Sequence, residues 1–318
     1  MEITIRLSEK EQFDLNPISN YTTMGNIDSR NERFYNLCGL GKARLIEKML
    51  ENDRILKTIN IDWISFESQS TPLLIASANG HDLVVDILLR NNAKLTIKDA
   101  RQATPLHHAA QRDYTTIAKK LLHAGSDVNA RDKLGWTPLM KACYFCSPDI
   151  IVTLIEAGAE IDAQTEQGRT ALHELCRSPT LNNETLLAEI ACILIDADNM
   201  TKSSIYANVF VLAAYHNHPS VVLVLLESHS FINHTDQQGW TALHWAIDRD
   251  HVDVVQLLID KGIRTDIRSH RGELAISRVK SCRIHDIMKH IKRQSLSLAD
   301  KSSMQVTSSI SMIDLEKI

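Results

Sequence analysis

Apolar residues in this chain fall into short helical stripes that recur. After Thr71, Leu73, Leu74 and Ala76 make one stripe, and Val84, Val85, Leu88 and Leu89 make a second at i, i+1, i+4, i+5, which is helical spacing. Asn79-Gly80-His81 interrupts the chain between them. The pattern predicts two short antiparallel helices, neither able to bury its apolar face alone. It restarts at Thr104, Thr137 and Thr170, 33 residues apart, and again at Thr241. Ala76, Ala109, Ala110, Ala142, Ala213, Ala214 and Ala246 recur in the first helix, so neighbouring helices can approach closely. Thr opens that helix as an N-cap, often with Pro next. Gly125, Gly158 and Gly262, with Asn92, share a register just after the second helix, where a left-handed residue commonly ends a helix. His229 fills it in the sixth copy and is expected to be slightly strained. Gly135, Gly168, Gly239 and Gly272 recur in the connecting turn.

The copies diverge at three places. A first copy is expected from about Glu32, with Leu45, Ile46, Met49 and Leu50 as its second-helix apolar residues and a lengthened connection over Asn52–Gln69. The copy from Thr170 brings its apolar pair Leu194-Ile195 late. This predicts a loop inserted between its helices at about Ser178–Leu186, a shortened connection after it, and a restart near Asn208. The last copy is degraded, with Gly272-Glu273-Leu274 where Gly239-Trp240-Thr241 stood.

The period, with the words TPLH, HAA, LL-x-AG and DVNA, resembles the ankyrin repeat over roughly residues 32–293. The resemblance implies an all-α fold, an ankyrin-repeat solenoid of stacked helix pairs with β-hairpin or loop fingers. Eight repeats are expected, starting near 32, 71, 104, 137, 170, 208, 241 and 274, with the outer two as caps. Residues 1–31 read as a flexible lead-in, and 294–318 as a Ser-rich disordered tail.

Bulk properties narrow the class. The chain is 44% hydrophobic with a net charge of −4, globular in composition and not suggestive of nucleic-acid binding. No apolar run approaches the ~20 residues that span a bilayer, and the N-terminus reads as no signal peptide. The six cysteines have no framework spacing, so reduced thiols and a cytosolic or nuclear location are expected.

Candidate chemistry dissolves on inspection. Cys143 and Cys146 have C-x-x-C spacing without a second ligand pair, and Cys143 stands where Ala110 stands. His107, His173 and His244 share one repeat position, and His81, His218 and His251 another. The resemblance makes these hydrogen-bonding residues of the helix start and the inter-helix turn. Gly39-Leu40-Gly41-Lys42 lacks the remainder of a phosphate loop. No catalytic, metal or cofactor site is expected, and no enzyme activity. Residues 261–293 hold ten Lys/Arg against Asp266, Glu273 and Asp286. They read as a solvated cap or as a docking surface for an acidic partner or anionic membrane.

The resemblance places binding on the concave face, made by the exposed side of the first helices and the finger tips. The first-helix positions are His108, Gln111 and Arg112, then Lys141, Tyr144 and Phe145, then Glu174 and Arg177. Tyr215, His216, Trp245, Asp248 and Arg249 continue the row, and Trp136, Arg169 and Trp240 are finger positions. Trp, Tyr and Arg are over-represented at interface hot spots. The two finger tryptophans fit an interface or sideways packing equally well. The function implied is a non-enzymatic, monomeric scaffold or adaptor binding a protein partner, with no nucleic acid and no membrane span. A ubiquitin-ligase substrate adaptor and a host-directed microbial effector are the alternatives. The family also makes Asn129 and Asn233, in DVNA and FINH, candidates for hydroxylation.

Overall fold

The computed structural model describes residues 27–51, 58–179, 183–197, 203–228 and 231–289. Most of the lead-in, His229 and the tail lie outside these. The chain divides into two compact units, residues 1–100 and 101–318.

In the first unit, α1 (Ile27–Gly39) pairs with α2 (Ala43–Glu51), and α3 (Pro72–Asn79) with α4 (Asp82–Arg90). The first helices α1 and α3 pack together, as do the second helices α2 and α4. Helix α1 starts ahead of the boundary expected near residue 32. Asn31 is buried, and its side chain accepts the Asn60 N–H at 2.9 Å.

The second unit repeats the arrangement. Its pairs are α5 (Pro105–Gln111) with α6 (Thr115–His123), α7 (Pro138–Tyr144) with α8 (Pro148–Glu156), and α9 (Ala171–Cys176) with α10 (Glu184–Ala197). Then follow α11 (Ser203–Tyr215) with α12 (Pro219–Ser228) and α13 (Ala242–Asp248) with α14 (Val252–Asp260). A 3-10 turn at Ala275–Arg278 and a helical stretch over 282–289 end the described chain. First helices stack on first helices in one layer and second helices on second helices in another. The alanines are what the seam between layers requires: Ala109, Ala110, Ala142, Ala213, Ala214 and Ala246 are all 0% exposed. A larger side chain there would force the helices apart.

The fifth pair departs from the expected loop. Glu184–Leu186 belong to α10, and α11 begins at Ser203, before the expected restart near 208. Much of the additional sequence lengthens these two helices, because ETLLAEIACILIDA and SSIYANVFVLAAY are apolar runs that gain burial as helix.

Helix starts are capped as the Thr register demands. The Thr71 and Thr137 hydroxyls each accept an N–H at 3.3 Å, from Leu74 and Met140. Thr104, Thr170 and Thr241 form capping boxes with His107, His173 and His244. In each, the imidazole Nδ1 accepts the Thr backbone N–H at 3.2 Å. Nδ1 therefore carries no proton, and the ring proton sits on Nε2. His107 Nε2 donates it to the Trp136 carbonyl at 2.9 Å, and His244 Nε2 to the Glu273 carbonyl at 3.3 Å. The second histidine register ties each repeat to the one before. His81 Nε2 reaches the Gly39 carbonyl, His218 that of Cys176 and His251 that of Tyr215.

Fingers among the described residues are turns, with isolated antiparallel bridges joining Thr235 to Thr241 and Arg268 to Leu274. One design recurs. Asp132 N–H donates to the Trp136 carbonyl while its carboxylate accepts the Leu134 and Trp136 N–H groups. Asp236, Thr165 and Ser269 do the equivalent for Trp240, Arg169 and Glu273. The turn needs one left-handed residue, supplied by Gly135, Gly168, Gly239 and Gly272, and by Gln102 in its earlier copy. At Gly239 (φ +75°) an added Cβ would lie 2.7 Å from the His270 backbone nitrogen, whereas at Gly262 (φ +81°) it would meet nothing within 4 Å. Gly262→Ala should therefore cost about 1 kcal/mol and Gly239→Ala about 3 kcal/mol in thermal unfolding. Equal losses would mean that backbone conformation alone sets the cost.

Candidate functional site

All the expected partner-contacting residues lie in the second unit, where fingers and first helices share a face. Trp136, at a finger tip, meets Tyr144 of α7 edge-to-face at 5.4 Å, and Tyr144 meets Phe145 at 5.1 Å. Lys141 lies over the Trp136 ring at 4.5 Å and pairs with Asp132 at 2.9 Å. Phe145 is 36% exposed, while Trp136, Tyr144 and Lys141 are half-buried.

One repeat further on, a carboxylate lies beneath two guanidiniums. Arg177 donates to Glu174 Oε2 at 2.7 Å, and Arg169 lies 3.7 Å from Oε1. The Glu174 side chain is 0% exposed, so it does not face outward as its register suggested. Burial raises its pKa despite the two arginines.

A second aromatic group follows. Tyr215 stands edge-on to His216 at 4.8 Å and to Trp245 at 4.9 Å, and Trp245 tilts against Trp240 at 4.4 Å. Trp245 donates its indole N–H to Asp236 at 2.8 Å. Arg249 lies over the Tyr215 ring at 4.0 Å and donates to its hydroxyl. Arg278 lies over Trp240 at 4.7 Å and pairs with Glu273 at 2.8 Å and Asp248 at 3.4 Å. Lys280 also reaches Asp248, at 3.4 Å. Burial, then the neighbouring His218, Arg177 and His251, hold the His216 pKa down to about 4.

Trp240 is the correction within this set. At 7% exposure it is an inter-repeat packing residue, sealed by Trp245, His244 and Arg278. Trp136, Tyr144, Phe145, Lys141, Arg177, Tyr215, His216, Trp245, Asp248 and Arg249 keep accessible surface.

Some participants escaped the sequence reading. Asp132 and Asp236 are legible afterwards, each four residues before its tryptophan in a D-x-x-G-W word. Arg278 and Lys280 belong to the basic stretch 261–293, but no repeat word placed them beside Trp240 and Asp248. In the first unit, Tyr35, Trp63 and Phe66 form a chain of edge-to-face contacts at 6.0 and 6.1 Å, with Phe66 77% exposed. Trp63 and Phe66 sit in what reads as a lengthened connection, and Tyr35 meets them from α1.

Asn129 and Asn233 act as repeat-to-repeat staples. Their side-chain oxygens accept the backbone N–H of Glu160 and of Arg264, each at 2.8 Å. Cys143 and Cys176 are buried and Cys146 half-buried, all as free thiols. Burial pushes the Cys143 and Cys176 thiols far above the ordinary range, the reverse of a reactive cysteine. Among the described residues no group of His, Cys, Asp and Glu is arranged to hold a metal ion, and no helix is long and apolar enough to cross a membrane.

Layered helix pairs joined by capped finger turns define a helical repeat protein. The family model for Ankyrin repeats matches three times, over residues 38–132, 106–203 and 180–269. The chain belongs to the ankyrin repeat family, whose members are generally protein–protein interaction modules and typically non-catalytic. No curated protein matches it.

Proposed function

We propose that this protein is a non-enzymatic scaffold or adaptor that binds a protein partner on the first-helix and finger face of its second unit. One observation carries the reading: half-buried rings and cations from successive repeats are already locked against one another before any partner arrives. Tyr144 is fixed by Trp136, Tyr215 by Arg249 and Trp245 by Asp236. Such preorganisation reduces the entropy lost on association, so a few aromatic anchors suffice. We further read the chain as a monomer of the cytosol or nucleus, in keeping with its free thiols. Asn129 and Asn233 are proposed as hydroxylation sites. Mass spectrometry of their peptides from native source would show one added oxygen, and unmodified peptides alone would refute this.

The test is affinity capture from cytosolic lysate with wild type and a Tyr144→Ser/Phe145→Ser variant of unchanged melting. These side chains keep exposed surface and are not sealed in the core. The captured partner should bind the variant about thirtyfold more weakly, the scale of a 2 kcal/mol hot spot. Equal capture by both proteins would move the binding surface elsewhere.

A further inference from the structure

We infer that this face receives an acidic polypeptide segment carrying interspersed apolar side chains. The inference rests on the first-helix face being the binding surface proposed above.

The two layers of the second unit differ in charge. In the second-helix layer α6 carries Lys119 and Lys120, but every charged side chain of α8, α10, α12 and α14 is an Asp or a Glu. The first-helix face holds both signs, and three of its carboxylates are recessed beneath its cations, while Glu273 at 36% stands level with Arg278 at 31%. Lys141 is 17% exposed above Asp132 at 4%. Arg169 at 26% and Arg177 at 35% cover Glu174 at 0%. Lys280 at 64% covers Asp248 at 21%. An approaching chain therefore meets mainly guanidinium and ammonium N–H groups and aromatic edges, with most of the compensating carboxylates behind them.

Screening keeps the two fields apart. Packed helix axes lie about 8–10 Å apart, and the Debye length at physiological salt is about 8 Å. A segment on the first-helix face senses its cations more than the carboxylates of the far layer. Exposed Arg268 and Arg271 of the last finger add to this positive surface.

The interleaving also separates a peptide from a nucleic acid. A phosphodiester strand carries a charge at every nucleotide, so some phosphates would fall against Asp248 and Glu273, which retain exposure. A polypeptide can space its carboxylates to meet the cations and set apolar side chains on Phe145, Tyr215 and Trp245.

The probe is a fluorescein-labelled random copolymer of glutamate and tyrosine, titrated with the full chain and followed by anisotropy. A lysine–tyrosine copolymer and an oligouridylate serve as comparisons. The glutamate–tyrosine copolymer should bind, and should weaken as salt rises. Arg249→Gln/Lys280→Gln should weaken it about tenfold. The charge-preserving Arg249→Lys/Lys280→Arg should recover part of the binding that the glutamines lose, and Glu156→Gln/Asp253→Asn in the opposite layer should stay within about twofold of wild type. Absence of binding, indifference to the Arg249→Gln/Lys280→Gln variant, or tighter binding of the lysine copolymer or oligouridylate would overturn the inference. The lysate partner separates the two claims. A partner weakened by Tyr144→Ser/Phe145→Ser but indifferent to Arg249→Gln/Lys280→Gln leaves the face in place and refutes the acidic segment. A partner indifferent to both refutes both.

Discussion

Lowering the pH from 7 to 5 should strip roughly 4 kcal/mol from the stability of the second unit, through His107 and His173 alone. Both rings are buried as the neutral Nε2–H tautomer, because Nδ1 accepts the N–H of the capping threonine. Burial is the leading cause that lowers each pKa from 6.5 to about 4. At His107 the hydrogen bond to Trp136 and the charge of Asp132 oppose it, and Lys141 and His108 add to it. The unfolded chain therefore binds more protons than the folded one between these values. Stability is full above the unfolded pKa, declines as pH falls from about 6.5 to about 4, and is level below that. At pH 5 each ring has lost roughly 2 kcal/mol, a large share of the 5–15 kcal/mol typical of a domain. His216, His244 and His251 shift the same way. Glu174, whose pKa is raised, works in the opposite direction. Thermal melts between pH 7.5 and 5 measure the slope. His107→Gln/His173→Gln keeps the capping box with a side chain that does not titrate, and should flatten most of it. An unchanged slope in that variant would assign the acid sensitivity elsewhere.

Arg177→Ala should cost about 3 kcal/mol at neutral pH, although Arg177 itself is a third exposed. The cost arises at its partner. Glu174 is fully buried, its Oε1 has no hydrogen bond, and Arg169 stands off at 3.7 Å. Removing one member of such a pair leaves a buried charge uncompensated, whereas replacing both with apolar groups is often neutral. Glu174→Leu/Arg177→Ala should therefore return to within about 1 kcal/mol of wild type. The loss in Arg177→Ala should also shrink in acid, since a protonated Glu174 needs no cation. Melting curves of the two variants at pH 7 and 5 decide it. A single variant that melts like wild type would show that solvent already screens the pair.

The repeat architecture was legible because each repeat must satisfy local rules that leave residues at fixed intervals. Thr at the helix start, alanines along the seam, and glycine or asparagine at left-handed positions each answer a constraint spanning a few residues. The αL position is right even where the residue is not glycine: Asn92 has φ +58°. The same logic failed over residues 178–208, where the inserted sequence has no register. Apolar content then decided, and the helices lengthened. The histidines were legible as a pair of registers, but the acid sensitivity of His107 and His173 depends on burial, which register alone does not fix.

Thus the sequence by itself determined the helix pairs, their period, their caps and the register positions of the row proposed for docking. Only the tertiary structure decided which of those residues stay accessible. Trp240 and Trp136 occupy one register, yet the first is sealed by Arg278 of the degraded last copy and the second keeps surface. Glu174 follows an outward position yet is buried under two arginines. Register is a local property of the chain. Exposure depends on which side chains come to lie across a residue: Arg278 reaches Trp240 from the next repeat, and Arg169 and Arg177 close over Glu174 from within its own.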